Sequence, residues 1–161
     1  MTKIETLQIT TPTDREIVMT RVFDAPRRLV FEAFTKPELL KRWLLGPDGW
    51  SLVVCDIDLR VGGKYRYVWQ HERKGSMGMG GVYREIVAPE RIVSTELFDD
   101  AWYPGEAVGT VTFAERDGKT TMSQSMLYAS REARDGVLKS GMESGVAVSY
   151  DRLDKVLATM R

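Results

Sequence analysis

From Trp50 to Tyr128 the chain is a succession of strand-length runs cut by turn residues, and one long amphipathic stretch follows it. Few architectures accommodate that order. The runs fall at 50–59, 63–73, 77–88, 91–99, 106–116 and 119–128, with breaks at Gly62-Gly63, Lys74-Gly75, Pro89-Glu90, Pro104-Gly105 and Asp117-Gly118. Asp-Gly between two alternating runs is the preferred chemistry of a tight hairpin, and strands joined so closely pair antiparallel. Upstream, after a polar leader ending at Pro12, REIVMTRVF at 15–23 is rich in β-branched and aromatic residues and predicts a first strand. The expected sheet therefore has about seven strands.

Asp24-Ala25-Pro26 ends that first strand. Pro26 suits the first turn of a helix, with Asp24 or Ala25 at the cap, and Leu29, Val30, Ala33 and Phe34 keep helical spacing. A second short helix is expected from Thr35, with Pro37 in its first turn and Leu39, Leu40 and Trp43 on one side, ending before Gly46-Pro47. Near the C-terminus, Ser130 is a candidate N-cap, with Glu132 and Asp135 close to the positive end of the helix dipole. One helix is predicted over ~131–158, its apolar stripe formed by Leu138, Met142, Gly145, Val146, Ser149, Leu153, Val156, Leu157 and Met160. An interior glycine costs a helix about 0.5–1 kcal/mol relative to alanine. Gly145 is therefore expected where the helix backbone approaches the sheet or borders a cavity.

Several function classes drop out on composition. Lysine plus arginine equals aspartate plus glutamate at 23 each, so no excess positive field gathers nucleic acid. No stretch approaches the ~18–20 apolar residues that span a bilayer, and the N-terminus has no signal-like apolar core, so a cytoplasmic, membrane-free protein is expected. The single cysteine, Cys55, lies in an apolar run and reads as a buried, inert thiol. His71 is the only histidine, which excludes a histidine metal cluster, and nothing implies a cofactor. His71 also sits among Glu72, Arg73 and Lys74 at an expected strand end, a poor position for a catalytic triad. Asp56 and Asp58 fall on one face of a strand like paired acid–base carboxylates, but Arg60 offers Asp58 a structural ion pair, and that reading is preferred.

The element order is strand, two short helices, six strands and one long helix. With it come Ala25-Pro26-Arg27, VFEAFTKPELLKRW at 30–43, DIDLRVGGKYRY at 56–67, GGVYREIVAPERIV at 80–93, VTFAERDGKTTMS at 111–123, Gly141-Met142-Glu143-Ser144-Gly145 and Asp151-Arg152-Leu153. Together these span roughly residues 15–157. On them the chain resembles the START-like (SRPBCC) proteins, and among these the subgroup similar to the C-terminal domain of the activator of Hsp90 ATPase. The resemblance implies a single α+β domain over 1–161 of helix-grip (START/Bet v 1-like) form, with an elongated cavity between a curved sheet and the long helix. Such proteins serve mainly as containers for lipids, polyketides, hormones or aromatic compounds, and a minority catalyse cyclisation or dehydration. Where relatives often carry a bulky aromatic after the helical glycine, this chain has Val146, which should enlarge or reshape the cavity.

Given that cavity, two-residue alternation turns Tyr65, Tyr67 and Trp69 inward, as it does Met79, Gly81 and Tyr83, and also Met122, Gln124, Met126 and Tyr128. The expected pocket is lined by Tyr67, Trp69, Met79, Tyr83, Met122, Gln124, Met126, Met142, Val146 and Tyr150. Taken singly, each could simply fill the core. Gln124, Tyr67, Tyr83 and Tyr128 are candidates for orienting polar contacts, and Trp102 and Tyr103 for a cover over the mouth. No arginine or lysine cluster appears among these residues, so a small apolar or aromatic ligand, neutral or weakly acidic, is favoured. A chaperone-interaction module and a cyclase or dehydratase are the alternatives. The first lacks the co-chaperone's additional N-terminal domain, and the second lacks an inward-facing acid or base legible in the sequence. The oligomeric state is open, a homodimer included.

Overall fold

The computed structural model describes residues 7–101 and 103–160. Its strands are β1 (Gln8–Thr10), β2 (Glu16–Phe23), β3 (Trp50–Ile57), β4 (Lys64–His71), β5 (Gly75–Val87), β6 (Arg91–Phe98), β7 (Ala107–Arg116) and β8 (Lys119–Leu127). Helices α1 (Arg27–Thr35) and α2 (Pro37–Trp43) follow β2, and α3 (Arg131–Lys139) and α4 (Met142–Met160) close the chain. All strands pair antiparallel in one sheet, in the order β1-β2-β8-β7-β6-β5-β4-β3. The fold is the α+β helix-grip architecture.

The sheet has eight strands rather than seven because part of the polar leader pairs with the first predicted strand, Gln8 opposite Thr20 and Thr10 opposite Val18. Residues 1–6 of that leader lie outside the described residues. The Asp117-Gly118 hairpin forms as read: both residues have positive φ, 54° and 77°, and Arg116 pairs with Lys119 across the turn. Pro26 stands at the N-cap of α1 rather than inside it, and Thr35 closes α1 by donating its hydroxyl to the Phe31 carbonyl at 2.8 Å. Lys36 therefore takes the cap of α2, with Pro37 at its first position.

The expected single C-terminal helix is two. Ser130 caps α3 by accepting a hydrogen bond from the Ala133 N–H, as predicted. The helix then stops at Ser140, where Gly141 takes φ 78°, a left-handed conformation that glycine enters without steric penalty and that ends a helix. The break changes the phase of the stripe. Val137 is buried where an unbroken helix would have buried Leu138, and Leu138 is exposed.

Most of the core lies where α1, α2 and the C-terminal half of α4 meet the sheet. Phe23, Trp43, Phe113, Leu153 and Leu157 are almost fully buried there. Phe34 packs on both Trp43 and Phe113, at 4.9 and 5.2 Å between ring centroids. A smaller core, with Ile17, Tyr103, Tyr128, Ala133 and Val137, holds α3 at the other end. Between the two cores, β5 and β6 lie so close at Gly81 that a Cβ there would stand 1.9 Å from the Thr95 carbonyl oxygen.

Because that obstacle is backbone, Gly81→Ala is expected to destabilise the domain by about 2 kcal/mol or more, as overpacking does. Gly136, inside α3, has open space around its Cβ position. Gly136→Ala should therefore stabilise by about 0.5–1 kcal/mol through helix propensity. Urea unfolding of the two variants beside the parent checks both signs.

Candidate functional site: an aromatic cavity under the fourth helix

A cavity of about 550 Å³ lies between the concave face of the sheet and the N-terminal half of α4. The inward residues of β4 build one wall. Tyr65 and Tyr67 are buried, and their rings lie 5.1 Å apart. Trp69 is anchored by its indole N–H, which donates to the Leu44 carbonyl at 2.8 Å. The bare Gly81 leaves room for the Tyr65 ring, since a Cβ there would come within 2.8 Å of its edge. Met79 and Tyr83 continue the wall along β5, and Val111, Gln124 and Met126 carry it across β7 and β8. From the helical side, Met142, Val146 and Tyr150 close it.

Nine of the ten residues expected at the pocket line this cavity. The tenth, Met122, does not. It is fully buried opposite Phe113 in the β7–β8 register, where Phe31 and Phe34 pack edge-on against the Phe113 ring and fill that end of the concave face. Alternation assigns Met122 to the correct face but cannot say that helices already occupy it. Gly145 also lines the cavity, but its close neighbour is Pro47 of the α2–β3 loop, 3.3 Å from a Cβ built at that glycine, and not the sheet. The exposed members of the lining, Pro47, Met77, Ser140 and Gly141, mark where the cavity meets solvent. Tyr103 belongs to the wall, packed edge-on against Tyr128 at 5.5 Å. Its expected companion at the mouth, Trp102, lies outside the described residues.

Polar groups inside are few. The Tyr65 hydroxyl donates to the Thr95 carbonyl at 2.6 Å, and the Tyr150 hydroxyl donates to Gln124 Oε1 at 3.1 Å. Burial pushes the phenol pKa values of Tyr65, Tyr67, Tyr83, Tyr103, Tyr128 and Tyr150 upward, so these groups are neutral donors.

Two comparisons place this geometry. The family model described as "Activator of Hsp90 ATPase homolog 1-like protein" matches residues 24–158. The chain belongs to that family. No curated protein matches it. Among solved structures, a Rhodobacter sphaeroides protein superposes with a TM-score of 0.90 at 30% identity, over 96% of this chain and 99% of that one. A Chromobacterium violaceum protein gives 0.76 at 30% identity, over 90% and 98%. A Mycobacterium smegmatis protein gives 0.83 over 96% and 98%, and at 24% identity it shows the fold alone.

The other chemistry-bearing residues of this Hsp90-activator-like domain stand away from the cavity. Asp56 and Asp58 are exposed, and Asp58 pairs with Arg60 at 2.9 Å. His71 caps the β4–β5 turn, its Nδ1 accepting from the N–H groups of Arg73 and Lys74. Cys55 is buried, and burial raises its thiol pKa to about 11. Among the described residues no group of three or more histidine, cysteine, aspartate or glutamate side chains could hold a metal ion.

Glu96 is the residue that sequence reading missed. Ile92, Ser94, Glu96 and Phe98 alternate along β6 and all line the cavity, so the period-two rule applied to RIVSTELF would have found it. Burial is the sole cause raising its carboxyl pKa, to about 7. The folded chain thus holds this proton more tightly than the unfolded chain, whose carboxyl titrates near 4.5. Stability contributed by the group is full below about pH 4.5, falls as pH rises towards 7, and is level above. Glu96→Gln should remove that loss. Its stability gain over the parent is expected to be about 3 kcal/mol at pH 8, roughly 6–12 °C in Tm, and to shrink at pH 5. Thermal unfolding at the two pH values checks this, and an equal gain at both would refute it.

Proposed function

We propose that this protein binds a small apolar or aromatic molecule in the cavity between the sheet and α4. The observation that carries the reading is the cavity itself, about 550 Å³ walled by tyrosine, tryptophan and methionine. That is within the usual range of about 300–1,000 Å³ for small-molecule sites, with a few placed polar groups for orientation. The contacts are assigned to Tyr67, Trp69, Met79, Tyr83, Gln124, Met126, Met142, Val146 and Tyr150. Methionines adapt to an irregular outline, and the aromatic rings suit a flat one. At about 0.3 kcal/mol per heavy atom, a ligand of this size binds with roughly micromolar affinity.

A chaperone-interaction role would be better supported by a filled core beside a broad exposed apolar patch. Likeness of fold does not itself carry function. A cyclase or dehydratase is the second reading, favoured by one observation: Glu96 places a titratable carboxyl inside the cavity. Among the described residues no helix is long and apolar enough to cross a membrane. A cytoplasmic location goes with the proposal, supported by the single cysteine and the balanced charge.

Trp43, Trp50 and Trp69 all line the cavity, so their fluorescence reports on an occupant. A neutral aromatic such as 1-naphthol should quench this emission and raise the Tm. Val146→Trp, which fills the space beneath α4, should weaken the quenching at least tenfold while far-ultraviolet circular dichroism stays that of the parent. Unchanged binding in this variant would remove the cavity as the site.

A further inference from the structure

Among the described residues of the cavity wall, Glu96 alone carries a formal charge, and none is basic. Its carboxylate makes no hydrogen bond or ion pair with the described residues, and burial without any compensating partner is what perturbs it. The groups that lie within electrostatic range of it are phenols: Tyr65 and Tyr67 from β4, Tyr103 from the β6–β7 loop and Tyr128 beyond the end of β8. None of these titrates near neutrality, and among the described residues no lysine, arginine, histidine or second carboxylate lines the cavity.

An isolated carboxylate in an apolar wall opposes folding unless something pairs with it. The protein side offers no such group, so the carboxyl either keeps its proton or takes a counter-ion from the occupant. An acidic ligand would meet like charge at short range, and a wholly apolar one would leave the carboxylate desolvated and unpaired. A cation is attracted twice, by the carboxylate and by the electron-rich faces of the aromatic rings around it.

We propose that the cavity takes an apolar or aromatic molecule bearing one protonated amine, with Glu96 as its counter-ion and the neighbouring tyrosine rings flanking the cation. This rests on the cavity-binding reading and narrows it. It also replaces the weakly acidic ligand expected from the sequence, an expectation formed without Glu96. Binding requires Glu96 ionised, so below neutrality the carboxyl must release its proton to solvent before the ammonium group can pair with it.

The test uses three probes that share one ring system and differ in the head group: 2-naphthylmethylamine, 2-naphthylmethanol and 2-naphthoate. Their affinities for the parent and for Glu96→Gln are measured by calorimetry at pH 5.5 and pH 8. In the parent at pH 8 the amine should bind about tenfold more tightly than the alcohol, with the carboxylate weakest. That advantage over the alcohol should shrink at pH 5.5 and vanish in Glu96→Gln at both pH values. If the alcohol binds and the amine has no advantage, or the advantage survives in Glu96→Gln, or the carboxylate binds best, the amine assignment is overturned while the cavity reading stands. If none of the three binds, the cavity reading falls and the amine assignment with it.

Discussion

Arg21 reaches from the concave face of β2 to two carboxylates on α4, Asp151 at 2.9 Å and Asp154 at 2.5 Å. Its own side chain is 3% exposed, while both carboxylates face water in part. A guanidinium taken out of water needs such partners, and its planar fork can engage both at once. The pair therefore clamps one stretch of α4 to one strand. Around the same stretch, Tyr150, Leu153, Val156 and Leu157 are buried. Towards the other end of the helix, Met142 and Val146 are only partly buried and look into the cavity. The helix is docked along its C-terminal half and stands off the sheet along its N-terminal half, and the cavity is the space so left.

The sheet supplies the other half of that geometry. An eight-stranded antiparallel sheet that keeps its hydrogen-bonded register can curl around a helix only by local bending. The register shifts in β3, between Leu52 and Val54, and in β5, between Tyr83 and Glu85. Glycines at 80 and 81 of β5 leave the space that a Cβ would contest with the backbone of Tyr65 and Thr95, while Gly78 leaves room for the Arg66–Asp99 ion pair. Of these, Gly81 also makes room for the ring of Tyr65. The family's helix-grip form is in this sense a packing solution: hydrophobic cores at both ends hold the helices, and the cavity lies between them.

That arrangement gives the cavity wall an uneven chemistry. Two of the tyrosine hydroxyls are committed to protein acceptors, Tyr65 to a carbonyl and Tyr150 to Gln124, which fixes their rings. Glu96 is not committed to any described group, and it is the one formally charged residue among the described residues of the wall. Shape and apolarity would admit many molecules.

Much of the fold was legible from the chain because local rules and tertiary structure agreed along it. The strand runs and their breaks, the Asp117-Gly118 turn and the Ser130 cap each rest on backbone chemistry acting over a few residues. Alternation also placed Tyr67, Trp69, Met79, Tyr83, Gln124 and Met126 on the concave face, where they line the cavity. Alternation names a face and not what covers it. Only the packing of α1 against Phe113 decided that Met122 belongs to the core. Gly141 had to take a left-handed φ before the helix was seen to break there and to bury Val137 instead of Leu138. Glu96 shows the same division from the other side. Its spacing put it on the inward face of β6 from the start, but the apolar surroundings that raise its carboxyl pKa come from strands far apart in sequence.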